Sequence, residues 1–417
     1  MNLFRNRSLV VALAGACIVS AACNDFLDVK NPNNLESDAI DEERDRGLLS
    51  QSAYQTFVAQ YGNVAVYSAW FTNEARVGDT FPTRNDFGKR DIPPNGDIQG
   101  IWNSLHNAIQ FAEHTIADIE PAGNNIDLAR TYFASGYGIL LQGELWCEGT
   151  IAGPDLEPRG PMTSAQLMDS AITRLTKAND VAKSLTGTEA SSIATAALVG
   201  IARAHLNAGR KAQASQFAAQ VPASFTYNLL HLDDPSNRGR LGNTIWSFSE
   251  ARISLVTGPE YRAMADAGDK RIAYTDMKRV AQDGQLNFFR QAKITGWGTA
   301  DRLASGLEAQ YIKIEADADP AAMFDFINTR RAAGNQTPIA ATTDVAVLMK
   351  ELMEQKARDF WLENKRIGDL RRNPTSVPYI IPPGNNYYKP ELGLVLDQVC
   401  WPVAQSERDN NPNFPKT

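Results

Sequence analysis

Apolar residues recur at three- and four-residue spacings along much of the chain, which is the pattern of helices that bury one face. The clearest examples predict helices over residues 98–119, 128–147, 164–184, 190–207 and 210–220. Thr163 and Gln166 match a capping box, in which a hydroxyl and an amide each satisfy a free backbone group at the helix start. Gly209 can adopt the left-handed conformation that ends the 190–207 helix. A series of helices with short connections is therefore predicted here.

Small residues indicate how these helices pack. In the 190–207 helix, Ile193, Ala197 and Ile201 lie on one stripe, and a second stripe beside it is also rich in alanine. Small residues at such spacings let paired helices approach closely, as in tetratricopeptide-like hairpins. The predicted fold class is therefore all-α, mainly helical, with tetratricopeptide-like helix pairs.

The rest of the chain is less regular. The expected elements, in chain order, are a helix over 37–61, an aromatic loop over 70–97, loops and short helices over 222–300, a helix over 301–316, a helix that starts at Asp319-Pro320, and a long helix over 344–370. Four prolines beyond the long helix predict an irregular tail.

The first 22 residues have the layout of an export signal. Arg5 and Arg7 precede an apolar stretch that ends in small residues just before Cys23. The stretch is too short to span a bilayer as a helix, and it resembles a signal peptide that is removed. Ser-Ala-Ala-Cys is similar to a bacterial lipobox, so we expect residues 1–22 to be cleaved and Cys23 to be lipidated. The alternative is an ordinary cleaved signal with an incidental cysteine.

Composition excludes several classes of function. The chain has 41 Lys and Arg against 48 Asp and Glu, a net charge of −7, with no basic run, which argues against nucleic-acid binding. The sequence has no cysteine and histidine grouping with metal-ligand spacing and no motif for a cofactor, so neither a metal nor a cofactor is expected. Cys147 and Cys400 could pair or stay as small buried thiols, and we favour unpaired thiols.

Catalytic motifs are missing from the sequence as well. It contains no G-x-S-x-G elbow, zinc-binding H-E-x-x-H helix or phosphate-binding glycine loop, so we expect a protein that is not an enzyme. A glycoside hydrolase stays an alternative, because a pair of carboxylates can be proposed but its separation cannot be read from sequence. His106 and His114 are expected to be surface or capping residues.

Aromatic residues are the most informative candidates for binding. Tryptophan and tyrosine rings stack on the apolar faces of sugars, while neighbouring polar side chains bond the hydroxyl groups. The candidate ligand-binding residues are Trp70, Phe81, Arg84, Asn85, Asp86, Trp246 and Trp297. The alternative for each tryptophan is a role as a core anchor.

Four stretches in order along the chain resemble the SusD/RagB family of outer-membrane lipoproteins. They are Cys23 to Asp28 with Pro32-Asn33, Phe326 to Gly334, Arg358 to Arg372, and Trp401 to Asn413. In the third stretch, Glu363, Arg366 and Asp369 stand where the family has Glu-x-x-Arg-x-x-Asp. The charged residues there also predict a partly buried network that fixes the tail, against the alternative of a solvated face.

The resemblance implies a SusD-like fold, with tetratricopeptide-like helix pairs and an irregular, loop-rich ligand-binding half. It implies an N-terminal region over 23–230 and a C-terminal region over 231–417, packed as one globular unit. It further implies a lipid-anchored protein on the cell surface that binds a glycan, or a peptide instead, and delivers it to a SusC-like TonB-dependent outer-membrane transporter. A tetratricopeptide scaffold lipoprotein in envelope assembly is the alternative from another class.

Overall fold

The computed structural model describes residues 42–153, 157–377 and 380–415. The predicted signal peptide and the predicted lipidation site, Cys23, lie outside the described residues. Residues from Arg46 onwards form one compact unit. The division at residue 230 stays a prediction.

The described residues form fifteen α-helices. In chain order they are α1 (Glu42–Phe71), α2 (Pro82–Lys89), α3 (Ile98–Ile119), α4 (Ile126–Leu145), α5 (Ser164–Lys183), α6 (Thr188–Asn207), α7 (Lys211–Ala218), α8 (Arg238–Leu241), α9 (Thr244–Trp246), α10 (Pro259–Asp266), α11 (Gly306–Asp317), α12 (Pro320–Ala333), α13 (Val345–Asp359), α14 (Arg366–Arg372) and α15 (Gln405–Asn410). The mainly helical prediction is confirmed.

Eight short strands form four antiparallel pairs in the same residues. They are β1 (Arg76–Val77), β2 (Glu148–Gly149), β3 (Met162–Thr163), β4 (Thr226–Leu229), β5 (Leu255–Val256), β6 (Tyr274–Val280), β7 (Asn287–Gln291) and β8 (Asp301–Ser305). The pairs are β1 with β5, β2 with β3, β4 with β8, and β6 with β7. Residues 222–300 therefore hold more strand than the predicted loops and short helices.

Helices α3 to α7 build the regular part of the core. Consecutive helices of this series pack against each other, and the capping box of Thr163 and Gln166 is present at the start of α5. Gly136 and Gly200 face Leu175 so closely that an added Cβ atom would lie 2.7 Å from its side chain. Small residues therefore set the spacing of these helices, as predicted from the stripes.

Three predicted elements need correction. Helix α1 continues to Phe71, so Trp70 belongs to a buried helix and not to the aromatic loop, which itself contains α2. Residues 301–305 form β8 before α11 begins. The long helix over 344–370 is two helices, because Leu362 and Asn364 between α13 and α14 have φ values of 62° and 55°. These values lie in the left-handed region, which a continuous right-handed helix excludes.

The prediction of unpaired thiols is wrong, because Cys147 and Cys400 form a disulfide bond. Their Cα atoms lie 5.2 Å apart, although 253 positions separate them in sequence. The tail reaches the end of α4 through backbone bonds from Cys147 N to Trp401 O at 3.1 Å and from Trp401 N to Leu145 O at 2.8 Å. Sequence spacing carries no information on such a distant pairing.

The predicted charge network is buried rather than solvated. Lys356 bonds Asp369 at 2.6 Å, and Arg372 bonds Glu315 at 3.1 Å and Asp369 at 2.6 Å. Arg371 Nη1 donates to the carbonyl oxygens of residues 143, 144 and 146 at the end of α4. The network therefore fixes the helices that precede the tail.

Candidate ligand-binding surface

The segment from Thr244 to Val256 has an unusual backbone. Helix α9 continues into a single π-helical turn over Ser247–Ala251, and Arg252 N closes the turn on Ser247 O at 2.9 Å. Ile253 then adopts φ 47°, a strained value for a β-branched residue, before β5 begins. Both π turns and strained residues are frequent at functional sites. This segment is therefore the starting point for the site.

The segment meets α2 at a group of rings and guanidinium groups, called here the aromatic–arginine surface. Its members are Phe81, Arg84, Trp246, Phe248, Arg252 and Arg290. The guanidinium carbon of Arg84 lies 4.7 Å from the ring centre of Phe81 and 5.4 Å from that of Phe248. Arg252 lies 4.9 Å from the ring centre of Phe248. Phe248 is thus contacted by two arginines.

Phe81 is the most exposed ring of this surface, with 54% of its surface accessible to solvent. It is the N-cap of α2, and Pro82 follows it at the first helical position, where a fixed φ and a missing N–H are both favourable. Asn85 is buried below it and donates to the carbonyl oxygens of Asp79 and Phe81, each at 3.0 Å. The backbone that carries Phe81 is therefore held in place while the ring faces solvent.

Arg84 is oriented by carboxylates. It forms an ion pair with Asp79 and lies 3.6 Å from Asp97. Asp97 also accepts hydrogen bonds from Thr83 Oγ1 at 2.7 Å and from Tyr67 Oη at 3.0 Å. Burial, together with the charge of Asp97, raises the pKa of Tyr67 above its usual value, so this phenol stays a donor. The guanidinium group is thereby fixed between the two phenylalanine rings.

Trp246 lies at the other end of the surface and is half-buried. The guanidinium carbon of Arg290, on β7, lies 5.1 Å from its ring centre, and the same arginine forms an ion pair with Glu250. The surface therefore presents a second ring stacked with an arginine, with a carboxylate beside it.

The hairpin of β6 and β7 connects the two ends of the surface. Gln282 accepts a hydrogen bond from Thr80 N at 3.0 Å through its side-chain oxygen, and its own backbone N–H donates to Ile253 O at 3.1 Å. A single residue thus links the backbone beside Phe81 to the strained residue after Arg252.

The predicted site residues divide into two groups. Phe81, Arg84 and Trp246 lie on the aromatic–arginine surface. Trp70 has no exposed surface, and its ring centre lies 5.4 Å from that of Phe248, beneath the aromatic–arginine surface. The structure therefore places Trp70 as a core anchor and not as a ligand-binding residue.

The other predicted residues have supporting or separate positions. Asn85 is buried and bonds backbone. Asp86 is half-buried and pairs with Lys89 at 3.3 Å, and burial raises the pKa of its carboxyl group. Trp297 lies beside Arg238, whose guanidinium carbon is 5.5 Å from its ring centre, in a different part of the chain from Phe81.

Sequence reasoning missed Phe248, Arg252 and Arg290. The alternation Trp246-Ser-Phe248-Ser-Glu250-Ala-Arg252 was a usable signal, because it places four chemically suitable side chains at two-residue spacing. Such alternation of side-chain types predicts a β-strand. The π turn that displays these side chains together has no comparable sequence signature.

A cavity of about 420 Å³ lies near Trp297 in sequence, with Asp301 and Thr299 among its lining residues. Charged side chains dominate it, but they pair with one another: Asp359 binds Arg330 at 2.7 Å, and Glu363 binds Arg302 at 2.8 Å. The first pair joins α12 to α13, and the second joins β8 to the turn between α13 and α14. The cavity is therefore best explained as part of the structural charge network.

The histidines show no ligand geometry. His106 stacks on Trp102, with ring centres 5.7 Å apart, rather than lying on the surface as expected, whereas His114 is exposed. His231 is buried against Asp301 at 2.9 Å, a pairing that sequence spacing did not indicate. Among the described residues, no group of three or more histidine, cysteine or acidic side chains has a metal-binding arrangement.

Within the described part of the chain, no helix is both long enough and apolar enough to cross a membrane.

Comparison with known proteins gives a result only at the level of structure. No family sequence model matches the chain, and no curated protein matches it in sequence. A SusD superfamily protein from Parabacteroides distasonis is 16% identical, with a TM-score of 0.69 over 90% of this chain and 99% of that one.

Two further structures agree with this result. A SusD-like carbohydrate binding protein from Bacteroides vulgatus is 14% identical, with a TM-score of 0.69 over 89% of this chain and 97% of that one. Surface glycan-binding protein A from Bacteroides thetaiotaomicron is 14% identical, with a TM-score of 0.68 over 89% and 98%. The chain therefore has the fold of the SusD superfamily.

Proposed function

We propose that this protein is a cell-surface lipoprotein that binds an oligosaccharide on the aromatic–arginine surface. It carries out no chemistry on the ligand and passes it to a SusC-like TonB-dependent transporter in the outer membrane. The observation that carries the binding proposal is the exposed ring of Phe81, held rigidly beside Arg84 and the 246–252 segment. An exposed ring on a fixed backbone loses little entropy when a sugar stacks on it.

Three further points support the proposal. The surface combines rings, which match the C–H faces of sugars, with guanidinium and carboxylate groups, which match their hydroxyl groups. Two proteins of the same fold are described as a carbohydrate binding protein and a glycan-binding protein. The lipobox-like sequence before Cys23 supports anchoring to a membrane.

Replacement of Phe81 tests the binding proposal. We expect Phe81→Ala to weaken oligosaccharide binding about tenfold, because a stacking surface is worth roughly 1–2 kcal/mol. Calorimetric titration against a panel of plant, algal and host oligosaccharides measures the effect. Leu232→Ala is the matched control, because Leu232 is 59% exposed and lies outside the surface.

Two results would contradict the binding proposal. One is that no oligosaccharide of the panel binds the unaltered protein. The other is that Phe81→Ala and Leu232→Ala bind every ligand equally well, which would move the site elsewhere.

Delivery to a transporter needs a separate test. We expect a tagged full-length protein, purified from detergent-solubilised outer membranes, to bring down a large β-barrel transporter in fixed stoichiometry. A Cys23→Ser variant is the control, since it should lose the lipid anchor and leave the membrane fraction. Recovery of envelope assembly proteins without a barrel would instead favour the scaffold function.

A further inference from the structure

Arg252 differs from the other arginines of the aromatic–arginine surface. The charge of Arg84 is balanced by Asp79, and that of Arg290 by Glu250. Arg252 is exposed, stacks on Phe248, and forms no ion pair with any of the described residues. Within the described part of the chain, the surface therefore carries one arginine whose charge no ion pair balances.

The backbone fixes this charge in position. Arg252 closes the π turn, and the next residue, Ile253, takes a left-handed conformation that is unfavourable for a residue with a β carbon. The bond from Gln282 N to Ile253 O and the packing of Ile253 against Val256 and Phe288 hold this conformation. One face of the guanidinium group is covered by Phe248, so its edge is left for a ligand.

The net charge of the chain bears on which ligands Arg252 can attract. The whole chain has a net charge of −7, so a negatively charged ligand is repelled by most of the molecule at long range. That repulsion is largely screened beyond about 8–10 Å at physiological salt, whereas a direct contact with Arg252 is screened less. A guanidinium edge binds carboxylate and sulfate oxygens in pairs, and these bonds are about twice as strong as those to neutral hydroxyl groups.

We infer that Arg252 selects saccharides with an anionic substituent, either the carboxylate of a hexuronic acid or a sulfate ester. The inference rests on the proposed function and adds the ligand class to it. The sugar ring stacks on Phe81 or Trp246, and the anionic group pairs with Arg252. Arg84, already committed to Asp79, orients the rings and contributes less to the selection.

Matched pairs of ligands test the inference. Oligosaccharides of galacturonic, glucuronic and mannuronic acid are each compared with their methyl esters, and sulfated oligosaccharides with their desulfated forms. Calorimetric titration of the mature protein at low and at physiological salt gives the affinities. We expect at least one acidic or sulfated form to bind about tenfold more tightly than its neutral partner, since a charged hydrogen bond is about twice as strong as a neutral one.

Substitutions at Arg252 test whether this residue causes the preference for anionic saccharides. Arg252→Gln should weaken binding of the anionic form more than binding of its neutral partner and so reduce the preference to within about twofold, whereas Arg252→Lys should keep part of it. Arg240→Gln is the control for net charge, because Arg240 is exposed on α8 and lies outside the surface. Which of the two ligand series shows the preference distinguishes a carboxylate from a sulfate.

The outcomes separate this inference from the proposed function. If neutral saccharides bind and no anionic form is preferred, or if Arg252→Gln keeps the preference, the inference fails and the proposed function stands. If acidic peptides bind through Arg252 while saccharides do not, or if nothing in the panel binds, both fail.

Discussion

Glu74 is a carboxylic acid in the interior, next to the start of β1. Burial raises the pKa of its carboxyl group to about 7, although Arg366 and Lys293 act in the opposite direction. Thr72 Oγ1 donates a hydrogen bond to Glu74 Oε2 at 3.0 Å. The group therefore changes charge near neutral pH inside the folded protein, whereas in the unfolded chain it does so near pH 4.3.

This difference makes stability depend on pH. Between the two pKa values, folding takes up a proton, so the contribution of Glu74 is complete below about pH 4 and is lost as the pH rises to about 7. The loss amounts to roughly 4 kcal/mol at most. We expect Glu74→Gln, which stays neutral, to gain stability relative to the unaltered protein between pH 5 and pH 8, measured by urea unfolding.

A surface glutamate provides the control for this prediction. Glu189 pairs with Arg130 and is largely exposed, so Glu189→Gln should shift stability by a similar small amount at every pH in that range. If the difference between Glu74→Gln and the unaltered protein stays constant from pH 5 to pH 8, Glu74 is ionised in the folded state.

Trp70 and Phe81 show how far the ligand-binding residues could be predicted from the sequence. Trp70 and Phe81 were equal candidates, because both are aromatic and lie close together in the chain. Trp70 is buried by the extension of α1, whereas Phe81 is turned outwards by the start of α2 at Pro82. The sequence shows that both residues are aromatic. Whether each ring is buried or exposed depends on where α1 ends and where α2 begins, which the sequence pattern did not predict.

Among the elements, prediction succeeded where the signal was local. The capping box at Thr163 and the Asp319-Pro320 start of α12 are present, since both depend on hydrogen bonds within a few residues. The long helix over 344–370 failed because tertiary contacts break it: Trp361 Nε1 bonds Glu74 O at 3.0 Å, and Glu363 pairs with Arg302. Strands β4 and β5 also pair with the distant strands β8 and β1, which no local pattern shows, whereas β6 and β7 form a local hairpin.

Two glycines test whether close helix packing stabilises the regular part. A Cβ atom on Gly200 of α6 would lie 2.7 Å from Leu175 Cδ1 and 2.9 Å from Tyr137 Cζ. Tyr137 cannot move freely, since its hydroxyl group donates to Ala196 O at 2.7 Å. We expect Gly200→Ala to lower the free energy of unfolding by about 1–2 kcal/mol, because overpacking exceeds the gain in helix propensity.

Gly100 is the matched control for this substitution. It lies in the first turn of α3 with no atom within 4 Å of an added Cβ, so Gly100→Ala should raise stability by about 0.5 kcal/mol. Chemical unfolding of both variants measures the two shifts. Equal shifts in the same direction would show that backbone propensity, and not packing, decides the effect at Gly200.

At the scale of the whole molecule, three contacts hold the tail and the helix that precedes it to the helix pairs. The disulfide joins Cys147 to Cys400, the ring centres of Trp146 and Trp401 lie 4.9 Å apart, and Arg371 of α14 binds the last carbonyl groups of α4. The family-like motifs at 358–372 and 401–413 therefore meet at one place. The sequence supplied the motifs in order, but their meeting point needed the fold.

Removal of the disulfide should separate its contribution from that of the other contacts. Cross-linking positions 253 residues apart restricts the unfolded chain, and the chain-entropy relation gives roughly 5 kcal/mol for a loop of this length. Cys147 is exposed, so a thiol reductant can reach the bond in the folded protein. We expect dithiothreitol to lower the midpoint of guanidinium unfolding strongly while the folded protein keeps its circular dichroism spectrum, because the tryptophan contact and Arg371 remain.

The Cys147→Ser/Cys400→Ser double variant is the control for the reductant. It should unfold at the midpoint of the reduced protein and show no further response to dithiothreitol. Oligosaccharide binding should be unchanged, because neither cysteine belongs to the aromatic–arginine surface. Two free thiols in the untreated, denatured protein, or equal midpoints for the untreated protein and the double variant, would mean that the tail is held by non-covalent contacts alone.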